Sequence, residues 1–283
     1  MNRSQIVGAD AHIGPERHSV GRANVGISPY SATFPKGIAM KDSLFTVLSR
    51  RQLTDSVYEI KLRGDCSAIT RPGQFVNLKL DGLYLRRPIS VCDLEGETLT
   101  LVYKVVGRGT ERLSRMVPGE TVLVLTGLGN GCDTALAGER PLLIGGGVGV
   151  PPMYLLAKRL RAEGKPVSVV LGFNTAAERF YEEEFRALGC GVTVSTVDGS
   201  YGVRGFVTDA LPETYTHVYT CGPEPMLKAV YKKIRTGGSF SFEKRMGCGF
   251  GACMGCSCKT ITGYKRICKE GPVLQKEEIL WED

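Results

Sequence analysis

The sequence predicts a multidomain α+β chain: an antiparallel β-barrel, then an α/β domain, then a small C-terminal cysteine module. Three observations carry that prediction. Short extended runs bounded by Gly, Pro and Asp recur between residues 42 and 139, and a strand–glycine turn–helix–strand unit begins at Arg140. Five of the ten cysteines then fall within 21 residues near the end.

Size and composition set the outer limits. A chain of 283 residues, 42% hydrophobic and 23% charged, can bury two ordinary cores and an appendage. It has no run of 18 apolar residues, so no membrane-spanning helix is expected. The net charge of +7 is partly concentrated in residues 1–41, where five Lys/Arg face two acids. No basic stripe interleaves with aromatics, which excludes a nucleic-acid partner. Residues 1–41 are rich in Gly, Ser and Pro and lack both a sustained period and an apolar signal core. They read as a poorly ordered extension. Clustered cysteines without a secretory leader suit a reducing cytoplasm, where such clusters hold metal.

Within 42–139, Gln74–Leu80 alternates, placing Val76, Leu78 and Leu80 on one face. Leu99–Val106 and Thr121–Thr126 are further strands. Strands this short and closely spaced suit an antiparallel barrel. Residues 140–236 change texture. Pro141–Ile144 is an apolar strand, Gly145–Val150 a glycine turn, and Pro151-Pro152 a permitted helix start. Met153, Leu156 and Leu160 follow at helical spacing, Gly164 and Pro166 end the helix, and Val167–Leu171 is the next strand. That βαβ pattern defines the α/β domain. Residues 237–283 form the cysteine-rich module.

The module reads Cys248-x4-Cys253-x2-Cys256, with eleven residues between Cys256 and Cys268. This is the spacing of a plant-type [2Fe–2S] loop. Gly247, Gly249, Gly251 and Gly255 let the backbone wrap closely and bring N–H groups to the sulfurs. Zinc also takes four thiolates, though usually from two short knuckles, and buried inert cysteines are a third reading. Cys256 fits the x2 spacing as ligand and leaves Cys258 surplus.

Three further motifs carry chemistry. The turn Gly145-Gly146-Gly147-Val148-Gly149 lets a pyrophosphate approach a helix N-terminus, although glycine also serves tight strand–helix packing. Thr220-Cys221-Gly222-Pro223-Glu224-Pro225-Met226 follows the strand His217–Thr220, so Cys221 stands at a strand's C-terminal end or is a small buried residue. Arg86-Arg87-Pro88-Ile89-Ser90 offers a phosphate-binding fork and a nearby hydroxyl, or is an ordinary strand with an exposed charge.

Taken in order, Arg87–Ser90, Gly109-Thr110, the glycine turn and Cys221-Gly222-Pro223 resemble the ferredoxin–NADP reductase superfamily. The tail from Glu243 through Pro272 resembles, more narrowly, the electron-transfer subunit of NAD-dependent (class 1B) dihydroorotate dehydrogenase. The likeness covers about residues 42–283. Cys258 and the N-terminal extension depart from it.

The resemblance implies that Arg87, Pro88, Ile89 and Ser90 bind FAD, with Val102, Tyr103 and Lys104 along the flavin and Gly109 and Thr110 at its pyrophosphate. Gly145, Gly146, Gly147 and Gly149, with Gly222, Pro223 and Met226, would bind NAD(H), joined by Asp198 from the nucleotide-domain loop. Ser90 and Cys221 stand as the catalytic candidates, and Cys248, Cys253, Cys256 and Cys268 as cluster ligands. A flavin between nicotinamide and cluster is chemically required, because hydride moves two electrons and iron–sulfur one. The implied partner is an FMN-containing dihydroorotate dehydrogenase catalytic subunit, in a heterotetramer of two plus two. A subunit of a hydrogenase or ferredoxin–NADP transhydrogenase complex, and a zinc-stabilised non-redox module, are the alternatives. Finally, Gly172–Ala177 after the second α/β strand holds no Lys or Arg, which predicts NADH over NADPH, with Arg179 and Arg204 as the nearest cations.

Overall fold

The computed structural model describes residues 40–281. The expected extension therefore lies outside the described residues except at its end, where Met40 is buried and Lys41 opens the first strand.

Six strands close an antiparallel barrel: β1 (Lys41–Gln52), β2 (Val57–Arg63), β3 (Phe75–Lys79), β4 (Arg87–Glu95), β5 (Thr98–Lys104) and β6 (Thr121–Leu128). Their order is β1-β2-β5-β4-β3-β6, with β6 returning to β1. Full closure leaves no strand edge exposed for pairing. Phe45, Ile60, Leu62, Val76, Leu78, Leu99, Leu101 and Val124 fill the interior. The expected face of β3 points inward, but Phe75 and Asn77 on its other face are buried as well. A short helix, α1 (Arg108–Leu113), crosses between β5 and β6.

The second sheet comprises β7 (Pro141–Gly146), β8 (Ser168–Phe173), β9 (Gly191–Thr196), β10 (Val203–Arg204), β11 (His217–Cys221), β12 (Gly237–Ser241) and β15 (Val273–Gln275). Between β12 and β15 the hairpin β13 (Ser257–Thr260) and β14 (Gly263–Arg266) stands apart. Sheet order is β10-β9-β8-β7-β11-β12-β15, parallel except for β15. The order reverses between β7 and β11, which makes a topological switch point. Helices α2 (Pro151–Ala162), α3 (Glu182–Ala187) and α4 (Glu224–Lys233) complete the domain.

Two differences from the sequence reading matter. A boundary at residue 237 cuts through the sheet, because β12 pairs with β11 along its length and β15 then pairs with β12. The cysteine segment is thus an insertion between two strands of the nucleotide sheet. The helix α2 buries more than its Met153, Leu156 and Leu160 stripe: Leu155 packs into the barrel core, and Lys158 Nζ meets the Asp93 carboxylate at 3.0 Å. The helix is wedged between two domains, so its apolar face is wider than one sheet needs. Among the described residues no helix is long and apolar enough to cross a membrane.

Candidate cofactor sites at the switch point

The switch point opens two adjoining cavities. Strands β7 and β11 run in register there, Gly145 opposite Cys221, so the glycine turn and the segment after Cys221 leave the sheet side by side.

The first cavity, about 370 Å³, lies between barrel and sheet. Arg87, Pro88, Ile89 and Ser90 of β4 line it, with Val102, Tyr103 and Lys104 of β5, Thr110 of α1 and Cys221 of β11. Gly109 adjoins through Arg87, whose guanidinium crosses its bare backbone: a Cβ there would stand 1.9 Å from Arg87 Nε and displace the side chain from its present path. The Thr110 hydroxyl is already engaged, accepting from the Val106 N–H at 2.9 Å and donating to the Gly107 carbonyl at 3.0 Å. Arg86 is turned away, clamped by both oxygens of Asp42 at 2.9 and 2.7 Å. Of the two arginines, Arg87 alone faces the cavity. The buried Tyr103 hydroxyl has no hydrogen-bond partner among the described residues. An apolar slot with one guanidinium and an unsatisfied hydroxyl fits a flavin nucleotide. Burial raises the Cys221 pKa, so the thiol stays protonated at neutral pH.

The second cavity, about 500 Å³, lies over the glycine turn. Gly146, Gly147, Gly149, Gly222, Pro223 and Met226 line it. Their roles differ. Gly147 has φ +52° and open space where a Cβ would be, so backbone is presented to the cavity. A Cβ on Gly149 would lie 2.2 Å from the Cys221 carbonyl, so that glycine allows the turn to cross β11. Gly145 lines neither cavity; its Cβ would meet Val150 Cα at 2.7 Å, which makes it a strand–helix packing residue. The buried Ser195 hydroxyl is unpartnered among the described residues and lines this cavity, as a polar ligand requires.

Asp198, expected at the cofactor, lines neither cavity. Its exposed carboxylate accepts from the Ser200 N–H at 2.9 Å and the Ser200 hydroxyl at 2.6 Å, closing a turn outside both cavities. Arg179 is committed elsewhere too, paired with Glu182 at 2.7 Å and lying 3.4 Å above the Tyr201 ring. Glu178 lines the nucleotide cavity instead, accepting from Asn174 Nδ2 at 2.9 Å.

The cysteine loop sits beside the barrel. Gly249 (φ +77°) and Gly251 (φ +91°) turn the backbone back so that the N–H groups of Ala252 and Cys253 reach Cys248 Sγ at 3.2 and 3.3 Å. Burial opposes ionisation of Cys248, but the N–H groups of Cys253, Phe250 and Ala252 outweigh it and lower the thiol to about 7. The Cys268 N–H points at Cys256 Sγ from 3.5 Å. Burial and then the Cys256 thiol raise the Cys268 pKa. The thiols therefore group as two pairs, Cys248 with Cys253 and Cys256 with Cys268. Among the described residues no three His, Cys, Asp or Glu side chains converge on one point. Two thiols for each iron is what a four-cysteine [2Fe–2S] cluster takes. Cys258 lies on β13, half-buried and outside both pairs.

Two residues escaped the sequence reading. Asn77, on β3, donates from Nδ2 to the Cys248 carbonyl at 3.1 Å and ties the loop to the barrel. Glu243, just past β12, lines both cavities. Neither belongs to a spaced motif, and each is defined only by long-range pairing.

Comparison with known proteins agrees with this geometry. The model of the iron-sulfur cluster binding domain of dihydroorotate dehydrogenase B matches residues 243–280, and that of the oxidoreductase NAD-binding domain matches residues 143–232. The structure described as an NADH-dependent reduced ferredoxin-NADP oxidoreductase superposes with TM-score 0.77 at 30% identity, over 84% of this chain and 90% of that one. A ferredoxin NADP+ reductase from Neisseria gonorrhoeae, at TM-score 0.59 and 17% identity over 68% of this chain and 90% of its own, shares the fold. Among curated proteins, the dihydroorotate dehydrogenase B (NAD(+)) electron transfer subunit of Geobacillus sp. (strain WCH70) is 43% identical over 85% of this chain and 99% of its own length. That of Bacillus pumilus (strain SAFR-032) is 42% identical over 85% and 98%. With identity at that level running through barrel, nucleotide sheet and cysteine insertion together, this chain belongs to the family of dihydroorotate dehydrogenase B electron transfer subunits.

Proposed function

We propose that this chain receives electrons from a dihydroorotate-oxidising partner and delivers them to NAD+. One observation carries the reading. The flavin-side cavity is walled by Val148 of the nucleotide turn and also by Met246 and Pro272 of the cysteine segment, so a single slot adjoins both neighbouring sites.

The residues divide the work. Arg87 and the backbone around Gly109 and Thr110 would hold the FAD phosphates, while Pro88–Ser90 and Val102–Lys104 would flank the ring. Ser90 and Cys221 face the slot where the rings of flavin and nicotinamide would meet. When bound, FAD supplies the conversion between hydride and single-electron transfer. Gly147 and Gly149, with Gly222 through Met226, would seat the dinucleotide. The pairs Cys248/Cys253 and Cys256/Cys268 would each hold one iron of a [2Fe–2S] cluster. Oxidation of dihydroorotate to orotate releases two electrons and two protons; NAD+ takes both electrons and one proton as NADH.

The partner is an FMN-containing catalytic subunit, assembled with this chain as two plus two. The relatives' description as subunits supports a partner, and thiols reserved for metal suit a reducing cytoplasm. The 30% identity to the ferredoxin-NADP oxidoreductase favours, as second reading, a subunit of a ferredoxin-linked complex with the same cofactors. The test is the composition of the purified chain. One FAD, two irons and two sulfides per chain, with NADH-dependent ferricyanide reduction, are expected. Bound zinc without visible absorption would overturn the redox reading altogether.

A further inference from the structure

Tyr181 is the one non-glycine residue with positive φ among the described residues, at +68°. A bulky side chain takes that backbone conformation only where its surroundings impose it. Here the constraint crosses the domain boundary. The Tyr181 hydroxyl donates to Glu59 Oε2 of β2 at 2.7 Å, and both residues are buried. Burial and then the Cys92 thiol raise the Tyr181 pKa, so the hydroxyl keeps the proton it donates. Glu59 accepts in addition from Arg51 at 3.0 Å, and Arg51 reaches on to Glu184 of α3 at 3.1 Å. Tyr154 of α2 packs edge-on against the Tyr181 ring, with centroids 5.2 Å apart.

This bond stands directly behind the nucleotide cavity. Val57, two residues before Glu59 on the same face of β2, lines the cavity from the barrel side. Phe180, next to Tyr181, lines it from the sheet side, and the two belong to one buried cluster. The domains are fastened a second time by α2, through Leu155 in the barrel core and Lys158 on Asp93.

We propose that Tyr181 is a positioning residue for hydride transfer, setting the nucleotide domain against the barrel through its bond to Glu59. The inference rests on the functional reading above, in which the barrel carries the flavin and the sheet carries the nicotinamide nucleotide. In the direction followed by the assay, the C4–H bond of NADH breaks and its hydride joins flavin N5, leaving NAD+ and the reduced flavin anion. The glycine turn and Gly222–Met226, which would seat the dinucleotide, belong to the sheet domain alone. The Tyr181–Glu59 bond therefore governs the approach of one ring to the other rather than the grip on the nucleotide. Transfer slows steeply when reacting atoms are misplaced by about 1 Å.

The experiment uses the full chain with its FAD and cluster, as wild type and as Tyr181→Phe, Glu59→Leu, the double variant and Glu59→Gln. Stopped-flow absorbance follows flavin reduction by saturating NADH, and calorimetry follows ADP-ribose binding. The long-wavelength absorption of the reduced protein with NAD+ reports stacking of the two rings. Tyr181→Phe and Glu59→Leu should each slow reduction about tenfold and weaken that absorption, and the double variant should lose no more than either. ADP-ribose affinity should stay within about twofold, since its seat lies on one domain. Glu59→Gln keeps an acceptor oxygen and should retain most of the rate. Unslowed reduction in Tyr181→Phe, equal loss of ADP-ribose affinity, or a Glu59→Gln variant as slow as Glu59→Leu would overturn the positioning role while leaving the nucleotide site intact. Failure of the wild-type flavin to be reduced by NADH would instead remove the functional reading beneath it. The flavin circular dichroism of each variant checks that the fold is kept.

Discussion

Asn77 Nδ2 donates to the Cys248 carbonyl across 3.1 Å, joining a barrel strand to the first cysteine of the cluster loop. Asn77 is 1% exposed, and a Cβ on Gly249 would stand 2.3 Å from its amide nitrogen. A buried polar side chain inside a barrel strand is expensive unless it is bonded. Here it fixes one ligand backbone against the wall that would carry the flavin. Asn130, two residues past β6, does the same, donating to the carbonyls of Glu270 and Val273 at 3.1 and 2.7 Å. The cysteine segment is thereby held at both ends against the barrel.

Asn77→Ala should loosen that hold. Losing one buried partner costs about 1–3 kcal/mol, and the loss falls on the loop rather than on the barrel core. Bleaching of the cluster absorbance by a chelator should run several-fold faster than in wild type, with FAD content preserved. An unchanged bleaching rate would show that the bond does not restrain the loop.

The two nearby cysteines should behave oppositely. Cys256 is 1% exposed and paired with Cys268, whereas Cys258 sits on the β13–β14 hairpin. Cys256→Ser should abolish the iron–sulfur absorption, and Cys258→Ser should keep it. Cluster loss only in Cys258→Ser would reverse the ligand assignment.

NADH should be preferred to NADPH. Glu178 lines the nucleotide cavity, and Arg179 is held by Glu182 and Tyr201. A carboxylate suits ribose hydroxyls and repels a 2′-phosphate. We expect kcat/KM at least about tenfold higher with NADH, and Glu178→Gln should narrow that gap by raising the NADPH value. Comparable efficiencies in the wild-type protein would contradict this account of the cavity.

His217 should make the fold sensitive to mild acid. Its Nε2 lies 2.9 Å from the Ser239 hydroxyl, which itself donates to Gln275 Oε1 at 3.0 Å, so Ser239 accepts and His217 is the neutral Nε2–H tautomer. Burial lowers its pKa, outweighing the opposing pull of Glu277. The unfolded chain then binds the proton more tightly than the folded one. Stability therefore rises with pH from the depressed folded pKa up to about 6.5, and is lost as pH falls through that window. Melting curves between about pH 5 and 6.5 should show this slope, and His217→Gln should flatten it. Parallel slopes would assign the effect to other groups.

Local pattern made much of this legible. Alternation in β3, the apolar run of β7 and the Met153, Leu156, Leu160 stripe each follow from a local period. The cysteine spacing likewise records the tight wrapping of one loop. What the sequence concealed is long-range. Gly237–Ser241 is short and rich in Gly and Ser, so β12 becomes a strand only because β11 and β15 pair with it. Gly145 sits in the same glycine run as Gly147, yet it faces Val150 rather than a cavity. Asp198 has motif-like neighbours but spends its carboxylate on Ser200. Glu243 carries no motif at all, and its place is set by where the sheet ends.

This chain moves electrons but does not itself oxidise dihydroorotate. The most direct measurement is NADH formation from dihydroorotate and NAD+, first with the purified chain alone and then with an FMN-containing dihydroorotate dehydrogenase subunit from the same source. No NADH is expected from the chain alone, and stoichiometric NADH and orotate once the partner is added. Dihydroorotate oxidation by the unaided chain, or no NADH after addition of a folded, FMN-loaded partner, would contradict it.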